Sequence, residues 1–308
     1  MAKTRIAIVG LGKIARDQHV PSLAASDAFE LAGVASPHNS LAGVPSYGDL
    51  QTLLQRIPDI EAVALCTTPQ VRYETARLAL QRGLHVLLEK PPGVTVSEVL
   101  ALEALARKQS VALFASWHSR HAPGVEPART WLESRAIRTV TVTWKEDVRV
   151  WHPGQRWIWK AGGLGVFDPG INALSILTRI LPGELLLEQA QLRFPGNCET
   201  PIAASLRLAD ARGTPISVEL DFLHPGPPSW DIDVQTDAGR LSLSHGGGQM
   251  RLNEQPVPGL RGQEYPDLYA RFATLVAARA VDADVRPLQL VADAFLCGQR
   301  IEVEPFVE

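Results

Sequence analysis

Two polar side chains at the start of an apolar segment could act together on a substrate. The stretch FDPGIN leads from a Gly-rich approach into INALSILTRIL, and it contains Asp168 and, four residues later, Asn172. On a helix this spacing puts a carboxylate and a carboxamide on one face, one turn apart. Asp168 followed by Pro169 is also typical of a helix N-terminus, where the Asp side chain accepts a backbone N–H. The sequence therefore leaves two interpretations of Asp168, a helix cap or a group directed at a ligand.

Residues 10–15, GLGKIA, have the residue types that bind a dinucleotide. They form a G-x-G-x-x-A pattern between a β-branched run, RIAIVG, and a segment with helical periodicity. Gly10 suits the tight turn, Gly12 lets the backbone approach a pyrophosphate, and Ala15 allows the helix to pack closely. The helix N-terminus then faces the phosphates. We predict a dinucleotide site here, and the alternative is a plain strand-to-helix turn.

The end of the second predicted strand bears on the choice between NAD and NADP. An NAD-specific site normally has an Asp or Glu there that accepts a hydrogen bond from the 2′-hydroxyl of the adenine ribose. This chain has Ser36, Pro37, His38 and Asn39 instead. Because no carboxylate would repel a 2′-phosphate, the sequence favours NADP, with NAD also accepted. The same residues also suit an ordinary turn.

Tryptophan is concentrated in one part of the chain. Six of the seven tryptophans fall between residues 117 and 159, and the seventh is Trp230. A Trp side chain offers a flat apolar surface and one N–H donor, which suits the C–H face of a pyranose. Most tryptophans are core residues, as we expect for Trp131 and Trp144. Trp151, in the Pro/Gly-containing stretch WHPGQRWIW, and Trp230, after HPGPPS, are better candidates for a binding wall.

The first part of the chain alternates strand-like and helix-like segments. Repeated strand-helix-strand units predict a parallel sheet covered on both faces, with ligands beyond the carboxyl ends of the strands. The predicted strands are RIAIVG (5–10), FELAGVAS (29–36), EAVALC (61–66), LHVLLEK (84–90) and VALFAS (111–116). The segments between them, such as QVRYETARLALQRG, have the helical period.

After about residue 121 the pattern changes. The segments LLLEQAQLRF, PIAASLRLAD, PISVELDF and WDIDVQT alternate apolar and polar residues between Pro and Gly clusters, which predicts a mostly antiparallel sheet. Two helical stretches follow, DLYARFATLVAARA and PLQLVADAFLCGQR. We predict a two-domain α/β protein, with a doubly wound Rossmann domain over residues 1–120 and an α+β domain with an open sheet over 121–308. The last helix of the second domain can pack back on the first.

The bulk composition excludes several classes of partner. The chain has 308 residues, a formal net charge of −3, 45% hydrophobic residues and 20% charged residues. A near-neutral balance without blocks of like charge gives no footprint for nucleic acid or an anionic membrane. No apolar run approaches the roughly 18 residues of a membrane span. The start, MAKTRIAIVG, lacks the h-region of a signal peptide, and three distant cysteines give no disulfide framework. We expect a soluble cytoplasmic protein without nucleic-acid or membrane partners.

Further motifs indicate a family. CTTPQ (66–70) and EKPPG (89–93) follow the third and fourth predicted strands, and with GLGKIA they resemble the glucose-fructose oxidoreductase, inositol dehydrogenase and rhizopine-catabolism family (Gfo/Idh/MocA). The stretches GKIARDQHVPS, FASWHSR, WKEDVRVWHPGQRWIW and GGLGVFDPGINALSI are similar to those of its bacterial aldose 1-dehydrogenases, which oxidise L-arabinose and D-galactose. The resemblance covers the whole chain. It implies a Rossmann half followed by an open-sheet half that is often used to form a homodimer.

The resemblance also implies a nicotinamide cofactor, NADP or NAD, and residues around it. In the family the Lys of E-K-P lies near the nicotinamide and the reacting carbon, which corresponds to Lys90 here. A lysine there can donate to the substrate oxygen or relay a proton. On the E-K-P letters alone, Lys90 could equally be a surface lysine at a strand end. The predicted cofactor-binding residues are Gly10, Gly12, Lys13, Ile14, Ser36, His38, Thr67, Thr68, Glu89 and Lys90.

One position departs from the wider family. Much of the family has Asp-x-x-x-His on the helix that enters the second domain, with His as acid or base, whereas this chain has Asp168 and Asn172. Asn cannot exchange a proton at neutral pH, but it can donate and accept hydrogen bonds. The similar aldose dehydrogenases share this Asn. Base duty then falls on Asp168, on Lys90 or on a relay through water, and the predicted catalytic residues are Lys90, Asp168 and Asn172.

The resemblance places further polar residues around the substrate. The predicted substrate-binding residues are His118, Glu146, Trp151, His152 and Trp230. Asp147 could replace Glu146 as the substrate carboxylate, since strand alternation sends the two to opposite faces. Arg120 suits a structural ion pair. A metal site is the competing explanation for such residues, but the sequence has no compact His/Cys/Glu ligand set, and we predict no metal.

The predicted function is NAD(P)-dependent oxidation of an aldopyranose of the L-arabinose, D-galactose and D-fucose class. Oxidation at C1 yields the aldonolactone, with hydride transfer to the nicotinamide. The alternatives are a non-catalytic nucleotide and sugar sensor, or a dehydrogenase of another polyol on the same fold. The intact EKPP and Asp168 argue against the sensor. The sequence does not rank the aldoses.

Overall fold

The structure, a computed structural model, describes residues 2–308. The strands lie in two separate sheets. In chain order they are β1 (Thr4–Val9), β2 (Phe29–Ala35), β3 (Ser46–Tyr47), β4 (Ala62–Leu65), β5 (His85–Glu89), β6 (Leu113–Ser116), β7 (Ile137–Lys145), β8 (Leu185–Pro195), β9 (Ala203–Asp210), β10 (Pro215–Asp221), β11 (Ser229–Thr236), β12 (Gly239–Ser244), β13 (Gln249–Leu252), β14 (Gln255–Pro256), β15 (Val281–Asp282) and β16 (Gln299–Val303).

The helices include α-helical, π-helical and 3-10 segments. The α-helices are α1 (Val20–Ala24), α2 (Leu50–Arg56), α3 (Pro69–Gln81), α4 (Val96–Gln109), α5 (Val125–Leu132), α6 (Val148–Trp151), α7 (Phe167–Ile180), α8 (Glu264–Ala278) and α9 (Arg286–Cys297). A π-helical turn, Ala15–His19, leads directly into α1. Short 3-10 helices lie at His118–His121, Arg156–Trp159 and His245–Gly247. Within residues 2–308, no helix combines the length and the apolarity that crossing a bilayer requires.

The chain divides into two compact units. The first contains the residues up to His118 together with Glu264–Val285, and the second contains Ser119–Gln263 and Arg286–Glu308. This division differs from the predicted boundary at residue 120 because the later segment with α8 belongs to the first unit.

Side-chain packing explains why α8 belongs to the first unit and α9 to the second. In α8, Tyr269 and Phe272 belong to the same buried cluster as Phe29 and Phe114. The last helix, α9, lies in the second unit, where it contacts α7 and β8. The predicted last helix also extends too far. The helix α9 ends at Cys297, and from Gln299 the chain forms β16, which pairs with β8.

The first unit is built on a seven-stranded sheet with the order β3-β2-β1-β4-β5-β6-β15. All neighbouring strands are parallel. This order confirms the predicted Rossmann fold. The strand order reverses between β1 and β4, so a ligand is expected beyond the carboxyl ends of these two strands.

Both faces of the first sheet are buried, which explains the continuous apolar runs in its strands. Ile6 and Ile8 of β1 belong to one buried cluster, whereas Ala7 and Val9 belong to another. This packing on both sides fixes the positions at which the loops leave the strands.

The second unit contains a nine-stranded sheet with the order β14-β13-β12-β11-β7-β10-β9-β8-β16. The pairs β7–β10 and β8–β16 are parallel, and the other neighbours are antiparallel. This confirms the predicted, mostly antiparallel sheet, although the sequence analysis predicts none of β12, β13, β14 and β16. On β7, buried Val140 and Val142 alternate with exposed Thr139 and Thr141. The helices α7 and α9 contact this sheet, at β7 and β8 respectively.

Candidate active site

The turn after β1 has the backbone geometry of a phosphate-binding turn. Gly10 has a φ of +87°, and a Cβ there would lie 2.8 Å from the backbone N of Thr67, so glycine is required. A Cβ added to Gly12 would meet nothing within 4 Å. Ala15 is fully buried where the π-helical turn begins. The close packing at Gly10 and the open space at Gly12 fit a pyrophosphate.

The other predicted residues near this turn differ in what they can offer a ligand. Thr67 follows β4, and its buried hydroxyl has no hydrogen-bond partner among residues 2–308, which leaves Oγ1 available to a ligand. Thr68 is the N-cap residue of α3, but its side chain makes no capping bond. Lys13 and Ile14 are exposed, and the Lys13 ammonium pairs with Asp17.

The loop after β2 has no carboxylate in Ser36–Ser40, and two basic side chains lie in it or against it. Ser36 is buried, and its backbone N–H donates to the carbonyl of Tyr47. His38 is exposed. The exposed guanidinium of Arg16 donates to the carbonyl of Ser40 at 3.2 Å, which brings a second basic group to this loop. Arg16 is not among the residues predicted from the sequence, although a basic residue directly after a Gly-rich motif is a usable signal.

The carboxylate of Glu89, at the end of β5, is occupied by groups of the protein. Its Oε1 accepts from the Tyr265 hydroxyl at 2.8 Å and lies 3.0 Å from Nε2 of His19. Its Oε2 accepts from the backbone N–H of Lys90 at 2.8 Å. Both carboxylate oxygens of Glu89 are therefore bonded by groups of the protein, and its predicted contact with the cofactor stays a prediction.

His19 and Glu89 form a buried ion pair. His19 Nδ1 also lies 2.8 Å from the Tyr269 hydroxyl. Burial opposes the charged form of His19, but the neighbouring Cys66 and Tyr269 and the hydrogen bond to Glu89 raise its pKa well above 6.5. Burial also acts to raise the pKa of Glu89, but the hydrogen bond and charge of His19 lower it to about 2. Both groups are therefore charged at neutral pH.

Arg72 of α3 is a second buried cation beside Lys90. Its guanidinium donates to the carbonyls of Thr67, Glu89 and Pro91. Thr67 lies in the loop after β4, Glu89 ends β5, and Pro91 lies in the loop after β5. One side chain therefore connects the loops that follow β4 and β5. Neither Arg72 nor His19 is among the predicted site residues. A usable signal is a basic residue inside a helical segment with an apolar residue four positions later, which is Ala76 for Arg72 and Leu23 for His19.

His118 and Lys90 are the remaining predicted site residues of the first unit. His118 Nδ1 lies 2.7 Å from Oε2 of Glu264, and its ring stacks on Tyr265 with centroids 5.4 Å apart. Lys90 is half-buried. In the same unit, the Ser116 hydroxyl at the end of β6 is buried and has no hydrogen-bond partner among residues 2–308.

In the second unit, Asp168 does not cap α7. The helix begins at Phe167, and Val166 is its N-cap residue, without a capping side chain. The backbone N–H groups of Phe167 and Asp168 donate to the carbonyls of Leu164 and Gly165 at 3.1 and 2.9 Å. Of the two interpretations, the helix cap is therefore wrong, because the helix begins one residue before Asp168, and the N–H of Gly170, which an Asp168 cap could bond, donates to the carbonyl of Val166.

The Asp168 carboxylate is instead part of a buried polar cluster. Its Oδ2 lies 3.6 Å from Nδ1 of His152. The other ring nitrogen of His152, Nε2, lies 2.9 Å from Oε1 of Glu146. Glu146 Oε2 accepts from the indole N–H of Trp230 at 2.8 Å. Glu146, His152, Asp168 and Trp230, hereafter the Glu146 cluster, were all predicted from the sequence, and the structure brings them together.

The hydrogen bond to Glu146 assigns the proton of His152. A carboxylate only accepts, so Nε2 carries a hydrogen in this bond, and Nδ1 is the acceptor whenever the ring carries one proton. Nδ1 is buried and has no hydrogen-bond partner among the described residues 2–308. It faces Asp168 Oδ2, a second acceptor, across 3.6 Å. Two acceptors so arranged can hold one proton between them or take one from a bound hydroxyl.

The aromatic residues near this cluster divide into core and surface. Trp151 is 43% exposed, and its ring meets that of Trp230 edge-on at 4.9 Å. Trp230 in turn stacks on buried Trp144 at 6.2 Å. Trp131, which was predicted to be core, is only half-buried, with the Arg135 guanidinium 4.0 Å above its ring. Trp151 and Trp230 therefore offer apolar surface next to the Glu146 cluster.

The remaining candidates have simpler surroundings. Asp147 accepts from the backbone N–H of Arg149 and pairs with its guanidinium, so it caps α6. Arg120 donates to the carbonyl of Ser175 and thereby ties the 3-10 turn to α7. Asn172 is half-buried one turn after Asp168. Among residues 2–308, no group of three or more His, Cys, Asp or Glu residues could hold a metal ion.

Comparisons with known proteins cover the whole chain. It is 43% identical over 308 residues to galactose 1-dehydrogenase of Pseudomonas fluorescens, with 100% of both chains covered. It is 53% identical to the crystal structure of D-galactose-1-dehydrogenase protein from Rhizobium etli, with a TM-score of 0.96 over 100% of this chain and 99% of that one.

A solved structure with much lower sequence identity has the same fold. KijD10, a 3-ketoreductase from Actinomadura kijaniata solved in complex with NADP and TDP-benzene, has a TM-score of 0.86 and 19% identity over 98% of this chain and 100% of its own. At that identity the likeness shows the fold alone. Residues 4–116 match the oxidoreductase family with an NAD-binding Rossmann fold, Gfo/Idh/MocA. The family match, the full-length relative and the strand order agree, so the chain belongs to the Gfo/Idh/MocA family of oxidoreductases.

Proposed function

We propose that this chain catalyses the NAD(P)-dependent oxidation of an aldopyranose, of the L-arabinose, D-galactose and D-fucose class, at C1 to the aldonolactone. The two full-length comparisons are with proteins named galactose 1-dehydrogenase. The chain also has the buried proton acceptors and the exposed tryptophan that such a reaction uses.

The reaction sets three tasks for the protein. C1 of the sugar loses a hydride, its hydroxyl loses a proton, and the C1–O bond becomes the lactone carbonyl. When bound, the nicotinamide supplies the hydride acceptor. The side chains must orient C1, take up the hydroxyl proton, and donate a hydrogen bond to the oxygen.

The observation that carries the proposal is the pair of acceptors in the Glu146 cluster. Glu146 fixes the His152 ring so that Nδ1, without a hydrogen-bond partner of its own among residues 2–308, faces the Asp168 carboxylate. We assign uptake of the C1 hydroxyl proton to this pair, with Asp168 as the first acceptor and His152 stabilising the proton behind it. The proton acceptor that the sequence leaves open is thereby given to Asp168.

Lys90 and Asn172 take supporting roles in this proposal. Lys90 is held through its backbone by Glu89, and the carbonyls on either side of it are held by Arg72. We assign to Lys90 a hydrogen bond to the reacting oxygen. Asn172, one turn after Asp168 on α7, orients the sugar hydroxyls as a donor and acceptor that does not ionise.

Trp151 and Trp230 form the proposed wall for the apolar face of the sugar. Trp151 is exposed, and Trp230 is fixed by its bond to Glu146 and by stacking on Trp144. An indole face packs well on the C–H face of a pyranose, while the polar residues of the Glu146 cluster bond to its hydroxyls.

The turn at Gly12 provides a test of cofactor binding that does not depend on catalysis. A Cβ at Gly12 meets no protein atom within 4 Å, and the same holds for Gly48. We expect Gly12→Val to weaken NADP⁺ binding at least about tenfold while Gly48→Val leaves it unchanged, because only Gly12 adjoins the pyrophosphate. Quenching of tryptophan fluorescence by NADP⁺ and NAD⁺ measures both affinities and ranks the two cofactors. Equal affinities in the two variants would contradict the proposed cofactor site.

Absorbance at 340 nm tests the activity itself. Purified protein is mixed with NAD⁺ or NADP⁺ and with L-arabinose, D-galactose, D-fucose or D-xylose. The proposal expects reduced cofactor with at least one aldose, and the lactone as the product in NMR. Reduction with none of them, in a protein that binds the cofactor, would exclude the proposed activity.

We further propose a homodimer formed through the open face of the nine-stranded sheet. Its support is a set of exposed polar residues on adjacent strands, among them Thr139 and Thr141 of β7 and Glu219 of β10. Light scattering after gel filtration should give twice the chain mass of 33.5 kDa. Thr141→Arg should give a monomer, and Val71→Arg, on the exposed side of α3, should not.

A further inference from the structure

The segment after β16 is fastened to the loop that carries His152. The side-chain amide of Asn197 holds the backbone of Phe306 on both sides. Asn197 Nδ2 donates to the Phe306 carbonyl at 2.8 Å, and Asn197 Oδ1 accepts from the Phe306 N–H at 2.8 Å. We call Asn197, Phe306 and Glu308 the clasp.

A chain of ring contacts leads from the clasp to His152. The ring of Phe306 lies 5.0 Å from that of Trp159, and Trp159 meets Phe222 edge-on at 5.8 Å. Phe222 is fully buried, and its ring lies 5.4 Å from the His152 ring. Because aromatic rings in contact restrict one another's orientation, Phe306 constrains the rings behind it.

The clasp has a second attachment on the same loop. The backbone N–H of Gly154 donates to Oε1 of Glu308 at 2.6 Å. Gly154 lies two residues after His152 and two residues before the 3-10 segment that ends at Trp159. The loop between His152 and Trp159 is therefore held at Gly154 by Glu308 and at Trp159 by Phe306.

The sheet alone does not require these contacts. β16 is already paired with β8 as far as Val303. Beyond that strand, Phe306 contacts Trp159 and is bonded by Asn197. Glu308 accepts a hydrogen bond from Gly154. Val307, between them, is 77% exposed. After Val303 the chain is no longer a strand, so the bonds to Asn197 and the contacts with the loop hold this segment.

We propose that Phe306 is a positioning residue that acts through Trp159 and Phe222 to hold the His152 loop in the arrangement that binds the sugar. This inference rests on the proposed function, since it assigns sugar binding to the loop. It predicts that loosening Phe306 weakens sugar binding while the proton-accepting pair, once the sugar is bound, still works.

The test compares Phe306→Ala with Val307→Ala, which removes side-chain carbons from the neighbouring exposed position. We expect Phe306→Ala to raise KM for the best aldose about fivefold, with kcat within twofold of wild type, because one aromatic contact is lost outside the reacting groups. Val307→Ala should match wild type, and Phe306→Tyr should restore most of the affinity. Hydrogen exchange of residues 150–161, without any ligand, should be faster in Phe306→Ala alone.

The outcomes separate the clasp from the activity. An unchanged KM in Phe306→Ala, or an equal change in Val307→Ala, would overturn the positioning role. A wild-type protein that oxidises no aldose would sink the proposed function. In that case, unchanged hydrogen exchange in Phe306→Ala would overturn the clasp as well, and faster exchange confined to residues 150–161 would support its hold on the loop.

Discussion

Each unit contains a buried glutamate that bonds a histidine and an aromatic side chain, but the two clusters differ in what their histidines have left to offer. The side chain of His19 is 0% exposed, and its ring nitrogens are bonded to Glu89 and Tyr269. The side chain of His152 is 16% exposed, and its Nδ1 has no hydrogen-bond partner among residues 2–308. The first cluster is complete within the protein, whereas the second leaves one acceptor for a ligand.

The difference shows how one set of residue types can serve two purposes. In the complete cluster the charges stabilise each other, and the remaining oxygen of Glu89 fixes the backbone of Lys90. In the incomplete cluster Glu146 only orients the ring, and the second nitrogen faces Asp168. The first arrangement suits positioning, and the second suits proton transfer.

The largest effect on turnover is expected from Asp168→Asn in the incomplete cluster. Asn keeps the size but cannot accept a proton, so we expect kcat to fall about a thousandfold, within the range for losing a general base. The melting temperature should change far less than turnover, because Asn keeps the size of the buried side chain and can still donate and accept hydrogen bonds. Steady-state kinetics at 340 nm and a thermal melt measure the two effects.

Asp147→Asn is the matched control, since Asp147 is the alternative carboxylate that the sequence leaves open. It pairs with Arg149 at the surface, and kcat should stay within about threefold of wild type. A larger loss of turnover in Asp147→Asn than in Asp168→Asn would reverse the assignment of the proton acceptor.

Lys90→Ala should have the next largest effect, and it separates the lysine from the cluster that holds it. Only the side chain is removed, while the Glu89 bond to the backbone N–H can remain. We expect kcat to fall about a hundredfold with little loss of stability, because a hydrogen bond to the reacting oxygen is lost. Lys108→Ala, at an exposed position on α4, serves as the control. Near wild-type turnover in Lys90→Ala would remove the lysine from the mechanism.

Sequence patterns predicted the fold because they are local. GLGKIA follows β1. The positive φ at residue 10 calls for glycine, and the buried position at residue 15 calls for a small residue such as alanine. The alternation in β7 to β11 likewise reports which residues face a core. The short strands β3 and β15 have two residues each, too few for any period to be visible.

The polar clusters were only partly accessible from the sequence. The family resemblance supplied Glu146, His152 and Asp168, but not the tautomer, which depends on the distance from His152 to Glu146. His19 and Tyr269 were missed because their partners lie far away in the sequence, and Arg72 was missed because its partners are backbone carbonyls, which no residue type reveals. His19 and Tyr269 are 250 residues apart, and no periodic pattern connects them. The interpretation of Asp168 as a cap failed because the helix begins one residue earlier than the Asp-Pro pair indicates, with Val166 as its N-cap residue.

The smallest effect on turnover and the clearest effect on stability are expected from His19→Gln in the complete cluster. Gln can keep a hydrogen bond to Glu89 but not the charge, so a buried carboxylate loses its counter-ion. Breaking a buried pair from one side typically costs about 3 kcal/mol, and we expect that loss in the free energy of unfolding. Turnover at 25 °C should fall only a few-fold, since Arg72 still holds the carbonyls on both sides of Lys90.

The pH dependence of this loss identifies the ion pair. The pKa of His19 is raised above 6.5, so its contribution to stability is present in full below pH 6.5 and is lost as the pH rises through the folded-state pKa. The pKa of Glu89 is lowered from 4.5 to about 2, so its contribution is present above pH 4.5 and is lost as the pH falls towards 2. The difference in stability between wild type and His19→Gln should therefore be largest between pH 4.5 and 6.5 and shrink in alkaline solution. Urea unfolding across this range, with His38→Gln as the control at an exposed histidine, measures it. A difference that stays constant into alkaline pH would mean that the charge of His19 contributes nothing, and that the two clusters differ in packing alone.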